Sequence, residues 1–79
     1  MSEQPAAYPG YATPTFTRDD DGAWIVWTLP DWLLVGRVFD RMPTGWTAST
    51  PSGHRVGLFP DKQAAGEALV KHAGYEVLR

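Results

Sequence analysis

Chemistry in this chain would have to come from a short list of side chains. His54 and His72 are its two histidines. A protein metal site needs several ligands converging at fixed spacing, and neither histidine has a carboxylate or a second histidine at such a spacing in the sequence. His72 falls near the end of an expected helix, where a cation suits the helix dipole. His54 follows a turn and reads as its solvent-facing neighbour. The run Asp19-Asp20-Asp21-Gly22 gathers carboxylates, yet an EF-hand calcium loop requires alternating oxygen ligands and a distant bidentate Glu. Those are missing, and the run reads as a solvated turn. No glycine-rich phosphate loop leads from a strand into a helix, and no serine sits in a nucleophile-elbow pattern. With zero cysteines the chain also lacks thiolate ligands, cysteine nucleophiles and disulfides. The expectation is a protein that is not an enzyme, with no catalytic residue, no metal and no cofactor.

The remaining distinctive residues are cationic and aromatic. Arg37, Phe39 and Arg41 alternate along one run, and Arg55 lies on another. Side chains two apart on a strand share a face. A strand here therefore groups Arg37, Phe39 and Arg41, with Thr47 and Ser49 on the next strand and Arg55 on the third, opposite the core. The same pattern fits a half-buried sheet whose Arg stems cover apolar surface. Trp24 and Trp27 belong to a strand with two apolar faces, so one face calls for a cover: the tyrosine-bearing N-terminal segment, a second copy or a partner. Trp and Arg are enriched at binding hot spots. Arg37, Phe39, Arg41, Arg55, Trp24 and Trp27 are accordingly the expected partner-binding residues.

One small domain must position these residues. Seventy-nine residues leave room for a single core, marginal at this size without disulfides or a metal. Four Trp, each able to bury roughly 150–250 Å², are expected to carry it. Residues 1–14 hold Pro5, Pro9 and Pro14 and no Val, Ile or Leu. They read as a flexible tail, and residues 15–79 as the domain. Strands are expected over residues 15–18, 23–29, 33–42, 46–50 and 54–59, separated by turn signals at Asp20-Asp21-Gly22, Pro43-Thr44-Gly45 and Pro51-Ser52-Gly53. A three-residue loop at 51–53 places Thr50 opposite His54, Ala48 opposite Val56 and Trp46 opposite Leu58. Burial then puts Trp46, Ala48, Val56 and Leu58 on one core face. For the preceding strand, a five-residue loop at 41–45 adds Val38, Gly36 and Leu34 to that face, whereas a four-residue loop brings in Leu33, Val35 and Phe39.

Asp61 is placed to cap a helix over residues 62–73, which Gly74 stops. Ala64, Ala65, Ala68, Leu69 and Ala73 recur at helical spacing as a narrow stripe of small residues. Gly66 costs this helix about 1 kcal/mol relative to Ala, so tertiary contact must hold it. Residues 75–79 add an edge strand or trail. The fold class is α+β: an antiparallel sheet of three or four strands packed on one C-terminal helix.

Gly36-Arg37-Val38, Gly45-Trp46-Thr47-Ala48, Arg55-Val56-Gly57-Leu58-Phe59 and Ala64-Ala65 give residues 36–73 a likeness. The stretch resembles the three-stranded-sheet-plus-helix DNA-binding domain of plant ethylene-response factors and the arm-binding domain of some phage integrases. In those families the sheet lies in the major groove and its arginines read bases. The resemblance implies the same architecture, and a DNA-binding alternative on Arg37, Arg41 and Arg55. The chain departs at Ser49 and Pro51, where the plant domains carry acidic and basic contact residues, and in the order of Gly57 and Leu58.

The formal net charge is −2, with Asp19, Asp20 and Asp21 close together, so no bulk positive field marks a polyanion binder. No basic start precedes an apolar run, and no stretch approaches the ~18 apolar residues of a membrane span. A cytoplasmic location and no membrane partner are expected. The expected function is a small non-catalytic interaction or regulatory protein that binds another protein or a second copy. The alternative is a double-stranded DNA-binding module using the outer sheet face.

Overall fold

The computed structural model describes residues 11–29 and 31–77. Along the chain run β1 (Tyr11–Arg18), β2 (Trp24–Leu29), β3 (Leu34–Asp40), β4 (Trp46–Ser49), β5 (Arg55–Phe59), α1 (Lys62–His72) and β6 (Glu76–Val77). They build one sheet in the order β5-β4-β3-β2-β1-β6. The first five strands form an antiparallel meander, and β6 pairs parallel to β1 at the far edge. α1 carries the chain from one edge to the other across a single face.

The fold is α+β with a C-terminal helix, but the sheet is six-stranded and mixed, not antiparallel with three or four strands. One reason is that residues 11–14, assigned to the tail, are strand. Ala12 and Pro14 are buried, and Thr13, Thr15 and Thr17 alternate with Ala12, Pro14 and Phe16. This period-two pattern is written without Val, Ile or Leu. Among the described residues β6 pairs with Tyr11 and Ala12, and Pro14 lies toward the edge of the sheet, where a residue without an N–H is tolerated. Residues 1–10 of the expected tail lie outside the described residues. The other reason is β6, the edge strand that is one of two expectations for residues 75–79, which pairs parallel to β1 and makes the sheet mixed.

Two hairpins share one turn. The Asp19 N–H donates to the Ala23 carbonyl at 2.9 Å and the Gly22 N–H to that of Asp19 at 3.1 Å; likewise Thr50 donates to His54 at 2.8 Å and Gly53 to Thr50 at 2.9 Å. Each three-residue loop ends on a glycine at positive φ, 87° at Gly22 and 95° at Gly53, as a type I turn closed by a bulge requires. The aspartate run is thus a hairpin turn.

Register departs from expectation at two irregularities. Between Ala48 and Ser49 the pairing shifts, so Ser49 faces Arg55 but Ala48 faces Gly57, Thr47 faces Leu58 and Trp46 faces Phe59. The additional residue, Val56, still packs on the core, while Phe59 takes the place expected of Leu58; Leu58 is 53% exposed. Between Val26 and Trp27 a second shift pairs Val26 with Gly36 and Trp27 with Leu34, making Val35 the additional residue. Val38 and Gly36 face the helix, as the five-residue loop at 41–45 predicts. Leu34 does not: it is 48% exposed, and Val35 is buried instead. A bulge adds one residue to one strand and inverts parity beyond it, which strict alternation cannot express.

The core is smaller in its side chains than four Trp suggest. Its centre is Val26, Val38, Ala48, Ala65, Leu69 and Val70, and Phe16, Trp24, Trp46 and Phe59 rim it, half-buried. Asp61 caps α1, its Oδ1 accepting the Ala64 N–H at 2.7 Å. At the other end Gly74 donates to Lys71 and Tyr75 to Val70, the paired bonds of a Schellman motif. The buried stripe is Ala65, Gly66, Leu69 and Val70, rotated from the expected one, and Ala73 is exposed. Gly66 draws the helix round. A Cβ there would lie 2.5 Å from Phe16 Cζ, so its bare backbone lets the Phe16 ring seat under α1.

Candidate functional site

The helix covers one face of the sheet, and the other presents most of the residues expected to bind. Gly36 marks the sides: a Cβ added to it would meet the two Leu69 methyls at 3.0 Å, so Gly36 and Val38 face α1 while Arg37 and Phe39 point away. Pairing extends the outer face sideways. Ile25, Arg37, Ser49 and Arg55 form one cross-strand row, and Phe39, Thr47 and Leu58 form the next. With strands about 4.8 Å apart, the backbones of Arg37 and Arg55 stand roughly 10 Å from each other across β4.

Trp27 shares the outer face. Its indole N–H donates to the Thr17 hydroxyl at 2.9 Å. Trp24 does not share it. It pairs with Val38, packs against the core, and lies between the Arg18 guanidinium at 4.8 Å and the Lys62 ammonium at 3.9 Å from its ring centre. Lys62 also sits 4.8 Å from the Phe16 ring. Cation–π contacts at exposed and half-buried sites such as these contribute about 0.5–1 kcal/mol each; those of Lys62 tie the start of α1 to β1 and β2. The structure therefore brings together Arg37, Phe39, Arg41, Arg55 and Trp27 on one face and puts Trp24 on the other.

Sequence reasoning passed over Trp32. It is 55% exposed, it lies beside Trp27 with ring centroids 6.4 Å apart, and its φ is +56°. That left-handed conformation is unusual for a bulky residue and persists only where surrounding bonds fix it. Here Trp32 N–H donates to the Thr28 carbonyl at 2.7 Å, Thr28 N–H to that of Leu33 at 2.9 Å, and Leu33 N–H to the buried Thr28 hydroxyl at 3.2 Å. The sequence signal was the Asp31-Trp32 pair following Pro30, a turn with an aromatic residue at its tip.

The three outer arginines are not equivalent. Arg37 reaches the Asp19 carboxylate at 3.4 Å, with side-chain exposures of 49% and 16%. The Asp19 Oδ2 is buried and accepts no hydrogen bond, so this pair joins the β1–β2 turn to β3 and spends the charge of Arg37 inside the molecule. Arg41 lies over the Phe39 ring at 5.4 Å. Neither Arg41 nor Arg55 has a carboxylate partner among the described residues. Two shallow hollows mark this face. One, of about 320 Å³, is lined by Leu34, Arg37, Phe39, Ser49 and Pro51; the other, of about 370 Å³, by Arg41, Thr47, Arg55 and Leu58. Both combine apolar walls with a guanidinium.

No helix among the described residues is long and apolar enough to cross a membrane. No protein family's model, curated protein or solved structure matches this chain significantly. The reading of the site rests on its geometry.

Proposed function

We propose that this chain is a small, non-catalytic interaction protein that binds another protein through the outer face of its sheet. The observation that carries the reading is Trp32, fixed at positive φ with its ring more than half exposed beside Trp27. A bulky residue held in a disfavoured conformation costs on the order of 1–3 kcal/mol, and an exposed ring recovers little of it by burial in the free chain. Covering it with a partner does. Leu34 and Leu58, each about half exposed on the same face, extend the apolar area, and rigid aromatic anchors beside arginines are the composition of binding hot spots. With Arg41 and Arg55 facing no carboxylate among the described residues, the complementary partner surface is apolar with carboxylates at its rim.

The same arginines would serve duplex DNA less well. Affinity for DNA rests on neutralising phosphates, and here one of three arginines is taken by Asp19 on a chain of net charge −2. The test places a photo-crosslinking residue at position 58 and, for comparison, at exposed position 63 on α1. The expected result is a discrete protein adduct from position 58 alone, lost in Trp32→Ala. Sedimentation of the free chain distinguishes a second copy from a different partner. Tight, steeply salt-dependent binding of one duplex sequence, abolished by Arg41→Ala and Arg55→Ala, would overturn the reading in favour of DNA.

A further inference from the structure

His54 and His72 are far apart in the chain, and the fold brings them together. α1 starts just after β5 and runs back along it. Eleven helical residues rise about 16 Å, close to the roughly 17 Å of a five-residue strand, so the end of α1 finishes level with the start of β5. His72 is the last residue of the helix and His54 immediately precedes β5. Their rings lie 6.0 Å apart between centroids with planes 23° from parallel, and both residues are exposed. Neither histidine has a partner at metal-ligand spacing along the chain, and it is the topology that brings the two rings together.

We propose that His54 and His72 form a two-imidazole site for a divalent transition metal of the Zn²⁺, Ni²⁺ and Cu²⁺ class, fastening the β4–β5 hairpin to the C-terminal end of α1, with water in the remaining positions. Two imidazoles bound to one tetrahedral metal through bonds of about 2.0–2.1 Å have ring centres roughly 5 Å apart. The observed separation exceeds this by about 1 Å, which side-chain torsions of two exposed residues supply. Each ring carries two nitrogens on opposite edges, so a ring flip offers either one.

Both backbones are already held. His54 donates its N–H to the Thr50 hydroxyl at 3.1 Å and accepts the Thr50 N–H at 2.8 Å, and His72 is fixed by the helix, so binding orders side chains and not chain. The negative end of the helix dipole favours a cation here; Lys71 opposes it, leaving the nitrogens to carry the affinity. No third His, Cys, Asp or Glu completes a metal-holding group among the described residues. A site of imidazoles without carboxylates selects borderline transition metals over Mg²⁺ and Ca²⁺.

The experiment is a titration of the full chain with ZnCl₂ and, separately, MgCl₂, read by imidazole ¹H–¹⁵N correlation spectra and by sedimentation. With Zn²⁺ the signals of His54 and His72 move together and saturate at one metal per chain, with sedimentation unchanged; Mg²⁺ moves neither. His54→Ala and His72→Ala each weaken Zn²⁺ binding at least tenfold. Both side chains being exposed, the variants fold, and His54→Asn, which retains polarity at the turn, behaves as His54→Ala. Histidine signals that shift at different Zn²⁺ concentrations, single variants that bind as tightly as the parent, or a Zn²⁺-dependent dimer would each overturn the proposal.

Discussion

The sheet has two faces built on opposite plans. Against α1 the central residues are small: Ala12, Gly36 and Ala48 on the strands and Ala65 and Gly66 on the helix are buried, Leu69 and Val70 complete the centre, and the larger Phe16, Trp24, Trp46 and Phe59 stand at its rim. On the outer face Trp27, Trp32, Leu34, Phe39 and Leu58 stand over threonines and arginines with no layer of described residues above them. In a chain this short, small residues at the centre of one face let the core close without using every large side chain, and the outer face keeps several of its own. Stability and recognition are thereby divided between faces, and substitutions should separate them.

The largest expected effect is on the covered side. Ala48 is fully buried, and Ala48→Glu places a charge there without a partner; it should cost several kcal/mol and leave the chain unfolded by circular dichroism at ambient temperature. Gly36→Ala follows. At φ +147° its Cβ would run into the Ser49 carbonyl and the Leu69 methyls, and neither strand backbone can retreat without breaking the ladder. A loss of more than about 2 kcal/mol in chemical denaturation is expected, and a wild-type midpoint would show that β3 and β4 do not approach as described.

Gly66→Ala weighs two opposed terms. Helix propensity favours Ala by about 1 kcal/mol, whereas the added methyl falls 2.5 Å and 2.7 Å from Phe16 ring carbons and 3.3 Å from Pro14. Overpacking of this kind costs about 1–3 kcal/mol. The net should be a destabilisation of about 1 kcal/mol, and a stabilised variant would mean that Phe16 turns aside freely. Phe59 and Leu58 provide a paired test of the bulge. Phe59→Ala should cost about 2–3 kcal/mol for a half-buried ring, and Leu58→Ala less than about 0.5 kcal/mol. The reverse order would restore the unbulged register.

Much of this architecture was legible. The Asp61 cap, the helix, the Gly74 stop and the two glycine-closed turns each rest on local rules that tertiary structure did not override. The outward parity of Thr47 and Ser49 followed from alternation beyond the turn at 51–53, whereas that of Arg37 and Phe39 is one of two that the loop at 41–45 leaves open, and the Asp40–Trp46 pairing selects it. What escaped has physical causes. The strand at residues 11–14 uses Ala, Pro and Thr where large aliphatics were sought; the bulges at Val35 and Val56 invert parity within otherwise regular strands. An edge strand within residues 75–79 is one of two expectations, but its parallel place beside β1 comes from the path of α1. For Trp32 the Pro30-Asp31 turn signal marks the loop but not the exposure of the ring, and the His54–His72 pair depends on the equal lengths of α1 and β5, which is no pattern in the sequence.

The smallest stability effects belong to the outer arginines, and their order separates a folding role from a binding one. Arg41→Ala and Arg55→Ala remove exposed guanidinium groups that have no carboxylate partner among the described residues, so stability should change by less than about 0.5 kcal/mol. Arg37→Ala differs. It leaves the buried Asp19 Oδ2 with no compensating charge, and although exposed ion pairs contribute only about 0–1 kcal/mol, an orphaned carboxylate oxygen adds its desolvation cost. The expected loss is about 1 kcal/mol. Asp19→Ala in the Arg37→Ala background should cost less than the sum of the two single changes, since the partner being removed is already unpaired. Additive effects in that cycle would show that the pair contributes nothing to holding the β1–β2 turn on β3. Arg37 would then be as free as Arg41 and Arg55 to meet a partner, and the outer face would carry three available charges in place of two.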